Sequence, residues 1–206
     1  MAASDTRDEV ALARDLIAGK PEAFDRFVEV FRSKIFQYAY MMCGQREDAE
    51  EVAQDSLLKV FENFGQLREP ERVKAWVFRI ARNECLMKRR KSVFAPTQEL
   101  SLDDFLPQQG QDGGRRLDIA DWSALPDDQA LRGELRDVIH AAIQELPEIY
   151  KAVMLLRDVE ELTTEEAAQV LDLSTEAVKT RLHRARLAVR KKLDEYLKGA
   201  RAGGRN

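Results

Sequence analysis

The chain has 206 residues, 44% hydrophobic and 34% charged, with a formal net charge of −4. That is apolar enough for a core and more charged than the globular norm of about 25%. No apolar run approaches the ~18 residues that span a membrane. The N-terminus is polar and acidic, unlike a secretory signal, and two cysteines are too few for a disulfide framework or a four-ligand zinc site, so a cytoplasmic protein is expected.

The first expected helix covers 5–18, is stopped by Gly19 and restarts at Pro21, a favoured first-turn residue. Phe24, Phe27, Val28, Phe31, Ile35, Tyr38 and Met42 then fall at helical spacing. Ala49, Val52, Ala53, Ser56 and Val60 make a second stripe, and Val73, Trp76, Val77 and Ile80 a third. Turn residues between them, 63–70, read as a loop. No run alternates like a strand. The stretch 95–130 loses apolar periodicity and gathers proline, glycine and glutamine, the composition of a linker. Beyond it, Leu131, Leu135, Val138, Ile139, Ala142 and Ile143 share a helix face, and Pro147 opens another helix. The tail, 199–206, is glycine-rich and expected to be disordered. The expected fold is therefore all-α. It has a helical bundle over 1–94, an acidic linker over 95–130, a second helical domain over 131–198, and a tail.

Charge follows this division. The blocks 1–70, 71–95, 96–130, 131–170 and 171–206 carry net charges of −5, +6, −6, −5 and +6. Two separated basic blocks suit two polyanion-binding surfaces, against the plainer alternative of solvated helix faces.

Thr163-Thr164-Glu165-Glu166 has the form of a capping box opening a two-turn helix. Asp172-Leu173 makes a tight break, and Ser174 is placed to cap a longer helix running to about residue 197. A short helix, a turn and a long helix describe a helix-turn-helix. In the second helix Val178, Leu182, Ala185, Val189 and Leu193 face a core. Lys179, Thr180, His183, Arg184 and Arg186 face elsewhere, as residues entering a major groove do. The alternative is an ordinary amphipathic helix with cations near its C-terminus, where the helix dipole favours them.

In the first domain, Arg79, Arg82, Lys88, Arg89, Arg90 and Lys91 interleave with Phe64, Trp76 and Phe78. Cations that track a backbone and rings that stack on bases suit single-stranded DNA, although each ring singly reads as core. Asp48, Glu51 and Asp55 share a helical face that repels DNA and suits a basic protein partner. His140 and His183 have no metal-ligand partner at useful spacing. No glycine-rich phosphate loop, HExxH or CxxC is present. Neither an enzyme nor a cofactor or metal is expected. Cys43 and Cys85 read as small buried thiols rather than redox groups. A free-standing transcription regulator and a helical adaptor remain as alternatives.

Four segments resemble the extracytoplasmic-function (ECF) sigma factors of bacterial RNA polymerase. DAEEVAQDSLLKVF from Asp48 and VKAWVFRIARN from Val73 look like region two. LPEIYKAVMLLRDVEEL from Leu146 and AVKTRLHRAR from Ala177 look like region four. The resemblance covers roughly 10–93 and 131–197.

It implies a factor that binds core RNA polymerase through its clamp helices and flap, directs it to promoter DNA and helps to open it. Asp48, Glu51, Val52, Gln54 and Asp55 would contact the clamp helices. Gln66, Leu67, Arg68, Lys74, Trp76 and Asn83 would take the downstream promoter element as single strand, with Arg79, Arg82, Lys88, Arg89 and Arg90 on its backbone. Lys179, Thr180, His183 and Arg184 would read the upstream element, supported by Arg157. The resemblance also implies regulation by an anti-sigma factor. Two departures bear on upstream specificity: Asp172 stands where the family often has glycine, and Glu176 lies close to the groove-facing residues.

Overall fold

A computed structural model describes residues 2–91 and 129–203, and these are all helix and turn. The helices are α1 (Ala2–Ile17), α2 (Pro21–Cys43), α3 (Arg46–Asn63), α4 (Val73–Lys91), α5 (Gln129–Gln144), α6 (Glu148–Met154), α7 (Thr164–Leu171) and α8 (Thr175–Gly203). The expected linker lies outside the described residues except for its last two positions, which already belong to α5. The tail expected to be disordered from residue 199 is helical to Gly203, and 204–206 lie outside the described residues.

Helix α2 is the axis of the first bundle. Pro21 sits in its first turn, and Gly44 ends it in the left-handed region, φ 80°, donating its N–H to the Tyr40 carbonyl at 2.9 Å. Phe27, Phe31, Ile35 and Tyr38 are each no more than 1% exposed. Full burial of such side chains stabilises by roughly 1.5–3 kcal/mol each. Helices α1, α3 and α4 pack around this face. Glu9 of α1 is buried and meets Lys34 of α2 at 2.5 Å, which offsets the cost of taking its charge out of water.

The region expected as a loop between α3 and α4 is partly ordered as two 3-10 turns, Phe64–Gln66 and Pro70–Arg72. Asn63 Nδ2 donates to the Lys59 carbonyl and Gln66 Nε2 to Asn63 Oδ1, both at 2.8 Å. Arg14 of α1 reaches Glu71 at 2.6 Å.

In the second half, α5, α6 and α7 pack on α8. Val178, Leu182, Ala185, Val189 and Leu193 are all buried, as their spacing requires. The halves meet: α7 packs on α4, and α5 and α6 touch α2. The His140 ring stacks on Tyr40 with centroids 6.0 Å apart, and Gln144 Nε2 donates to the Tyr40 carbonyl at 3.4 Å. Arg89 of α4 pairs with Glu148 of α6.

Candidate nucleic-acid and polymerase interfaces

The helix-turn-helix forms as its capping residues dictate. Thr163 accepts from the Glu166 N–H at 3.2 Å, and Glu166 accepts from the Thr163 N–H at 2.7 Å. Asp172 supplies the left-handed residue of the turn, φ 56° and ψ 52°. Ser174 accepts from the Ala177 N–H at 3.1 Å and starts α8.

On α8, Lys179, Thr180 and His183 are exposed and Arg184 is half-buried. Lys179 bonds Glu176 at 2.8 Å, which raises its pKa, so the acidic departure partly screens a cation on the groove-facing side. Arg186 makes a two-pronged pair with Asp158, at 2.9 and 2.6 Å, and fixes α8 to the segment after α6. That segment, Leu155–Val159, is a π-helical turn. Arg157 within it donates to the Leu162 carbonyl, so it shapes the approach to α7 from behind.

The cations assigned to single-stranded DNA do not form one surface. At helical spacing Trp76, Arg79, Asn83 and Arg90 share a face of α4, while Arg82 and Arg89 lie on another with Cys85. Lys88 turns to α3. It pairs with Glu51 and, at 3.2 Å, with Asp48, and the hydrogen bonds it donates to Glu51 and then to Asp48 raise its pKa. Lys74 is half-buried and Arg68 exposed. Trp76 is partly buried. Its ring stands edge-on to Phe64, centroids 5.8 Å apart at 88°, so it is at once a core residue and a wall of the groove described next.

Burial bears on two assignments. Val52 is 2% exposed on the inward face of α3 and has no surface for a polymerase contact. Leu67 is 6% exposed and packs into the bundle beneath the loop, with only an edge on the groove described below. Both stand in contiguous motifs whose neighbours point outward. Conversely, Leu58 and Phe61 of α3 are 56% and 60% exposed. They extend the Glu51–Asp55 side of the helix as an apolar patch that the sequence reading missed. The signal was available: both fall outside the buried stripe at helical spacing.

Gln66, Arg68, Trp76 and Arg79 line a groove of about 210 Å³. Its far wall is Gln169 and Val170 of α7. The proposed single-strand surface is thus faced by the first helix of the helix-turn-helix.

Residues 27–93 match the model for Sigma-70 region 2, and residues 136–189 that for Sigma-70, region 4. The ECF RNA polymerase sigma factor SigW of Bacillus subtilis is 30% identical over 177 residues, covering 85% of this chain and 91% of SigW. The chain belongs to the ECF sigma factors. The RNA polymerase sigma-H factor of Pseudomonas aeruginosa is 27% identical over 88% of this chain and 92% of its own length. Among solved structures, CnrH in complex with the cytosolic domain of CnrY shares the fold with a TM-score of 0.59 at 23% identity, covering 91% of this chain and 97% of that one. The sigma factor RpoE with the anti-sigma factor NepR, from Bartonella quintana, gives 0.58 at 19% identity over 83% and 96%. This sigma factor binds core RNA polymerase and promoter DNA and directs initiation at specific promoters. No helix among the described residues is long and apolar enough to cross a membrane.

Proposed function

We propose that the two halves divide the work of initiation at the boundaries expected from sequence, without a catalytic step of their own and within the cytoplasm. The first domain, 1–94, docks on the polymerase clamp helices through the half-buried Asp48 and the exposed Glu51, Gln54 and Asp55, continued by Leu58 and Phe61. It takes the downstream element as single strand along the Gln66–Arg68 loop, Trp76, Arg79 and Asn83. Lys74, Arg82 and Arg90 extend the positive field, and Arg89 joins them once its pair with Glu148 opens. Lys88 steadies the polymerase-binding acids. The second domain, 131–198, reads the upstream element with Lys179, Thr180, His183 and Arg184. Arg157 positions the turn that precedes α7.

The groove between the Gln66–Arg68 loop and Arg79 carries this reading. It combines exposed cations, an aromatic wall and a polar loop, the chemistry that holds an unstacked base and its phosphate. The same surface on a free-standing duplex regulator would have no purpose.

Holoenzyme assembled with Trp76→Ala and Arg79→Ala should keep its duplex upstream contact and lose promoter opening, read by permanganate reactivity of unpaired thymines. Unchanged opening would remove the groove from the melting step. An anti-sigma factor is the regulatory partner this reading expects. RpoE was captured with the anti-sigma factor NepR, and CnrH with the cytosolic domain of CnrY.

A further inference from the structure

Glu176 stands in the first turn of α8, about one turn ahead of Lys179 and Thr180 and two ahead of His183. At that spacing the four side chains share one stripe of the helix. The stripe is open: the Glu176 side chain is 77% exposed, Lys179 is 59% exposed, and Thr180 and His183 are exposed. Thr175 and Ala177, on either side of Glu176, are half-buried, and Val178 is buried. The helix dipole favours an acid anywhere in this first turn. It does not explain why the acid stands on the stripe that meets a polyanion, where it repels phosphate. An acid in that place is accounted for by a donor on the DNA. In the major groove cytosine N4 is the donor that a carboxylate takes.

Glu176 does not act alone. Lys179 Nζ donates to Glu176 Oε1 at 2.8 Å, so the stripe presents an acceptor and a donor side by side. A C·G pair presents the complement. Cytosine N4 donates to guanine O6 within the base pair, so the two groups also lie one hydrogen bond apart on the groove edge. Guanine N7 adds a second acceptor for the ammonium. An A·T pair also sets a donor beside an acceptor, but there the acceptor, thymine O4, is flanked by the C5 methyl.

We propose that Glu176 is a specificity-determining residue: with Lys179 it reads one C·G base pair of the upstream element, Glu176 accepting from cytosine N4 and Lys179 donating to guanine O6 and N7. The proposal rests on α8 reading the upstream element, and it adds the base pair that the acid selects. Both side chains are exposed, and an exposed ion pair contributes little to the fold, so substitutions here report on recognition.

Holoenzyme made with the full chain is offered the promoter upstream of its own gene, randomised as duplex across the upstream element, and the bound DNA is sequenced. The wild type should enrich C·G at one position by about five- to tenfold over the other base pairs. Glu176→Ala and Lys179→Ala should each flatten that position and leave the remaining positions enriched. Unchanged preferences in Glu176→Ala would overturn the proposal, including the case in which affinity rises equally on all sequences because a repulsion has been removed. Glu176→Ala and Lys179→Ala flattening different base pairs would overturn it as well. No enrichment at any upstream position by the wild type would instead remove the reading role of α8, and the proposal with it.

Discussion

Thr163 and Asp172 carry the turn that aims α8. Thr163→Ala removes the side-chain half of the capping box and should lower stability by about 1 kcal/mol in chemical denaturation. Asp172 occupies a backbone conformation that glycine adopts without the Cβ clash, yet its side chain tolerates that conformation better than most. The departure from the family's usual glycine therefore leaves the turn intact. On the reading face, Arg184→Ala should lose about 1–3 kcal/mol of binding to the cognate upstream element and much less to unrelated duplex. An equal loss on every sequence, measured by anisotropy, would assign Arg184 to phosphate. The caps, the turn and the inward face of α8 were legible in the sequence because each is a local rule. The burial of Leu67 was not, whereas Val52 already fell in the apolar stripe of its helix although its motif set it among polymerase contacts. A motif is a contiguous string, and a helix turns every second or third letter of it to the core.

The same limit appears at the scale of whole elements. The helices of both bundles were legible from spacing and stop signals. The division of α4 into three faces was not, because it depends on which neighbours α4 packs against. Lys88 reads in sequence as one more cation for DNA, but α3 claims it through Asp48 and Glu51. Helix α3 thus presents an acidic rim that is partly neutralised at its start and unrelieved at Asp55, followed by the apolar Leu58 and Phe61. Phe61 is held by Phe24, ring centroids 4.9 Å apart, so Leu58 is the cleaner probe. Leu58→Asp and Asp55→Lys should each weaken binding to core polymerase in a pull-down or by interferometry. Both positions are exposed, so stability should move by no more than about 0.5 kcal/mol. A variant that also melts early would report on the bundle instead of the interface.

At the scale of the molecule, the halves close on each other across α4 and α7. This seam was not legible, since charge blocks locate surfaces without saying which of them meet. Its consequence is competition. The groove at Trp76 and Arg79 has α7 as its far wall, and Arg89 is occupied by Glu148. If only a fraction of chains is open, apparent affinity for a single strand falls by that fraction. Glu148→Lys replaces the pair with repulsion. It should enlarge the radius of gyration in solution scattering and tighten binding of a downstream-element oligonucleotide several-fold. Unchanged scattering with unchanged binding would mean that the seam does not limit access.

Run-off transcription tests the central claim most directly. The purified chain is added to sigma-free core RNA polymerase with promoter fragments from its own genome, including the one upstream of its own gene. Specific transcripts that require the chain, and that vanish with Trp76→Ala and Arg79→Ala together, are the expected result. Transcripts of unchanged yield and start site in that variant would contradict the division of labour proposed for the two domains.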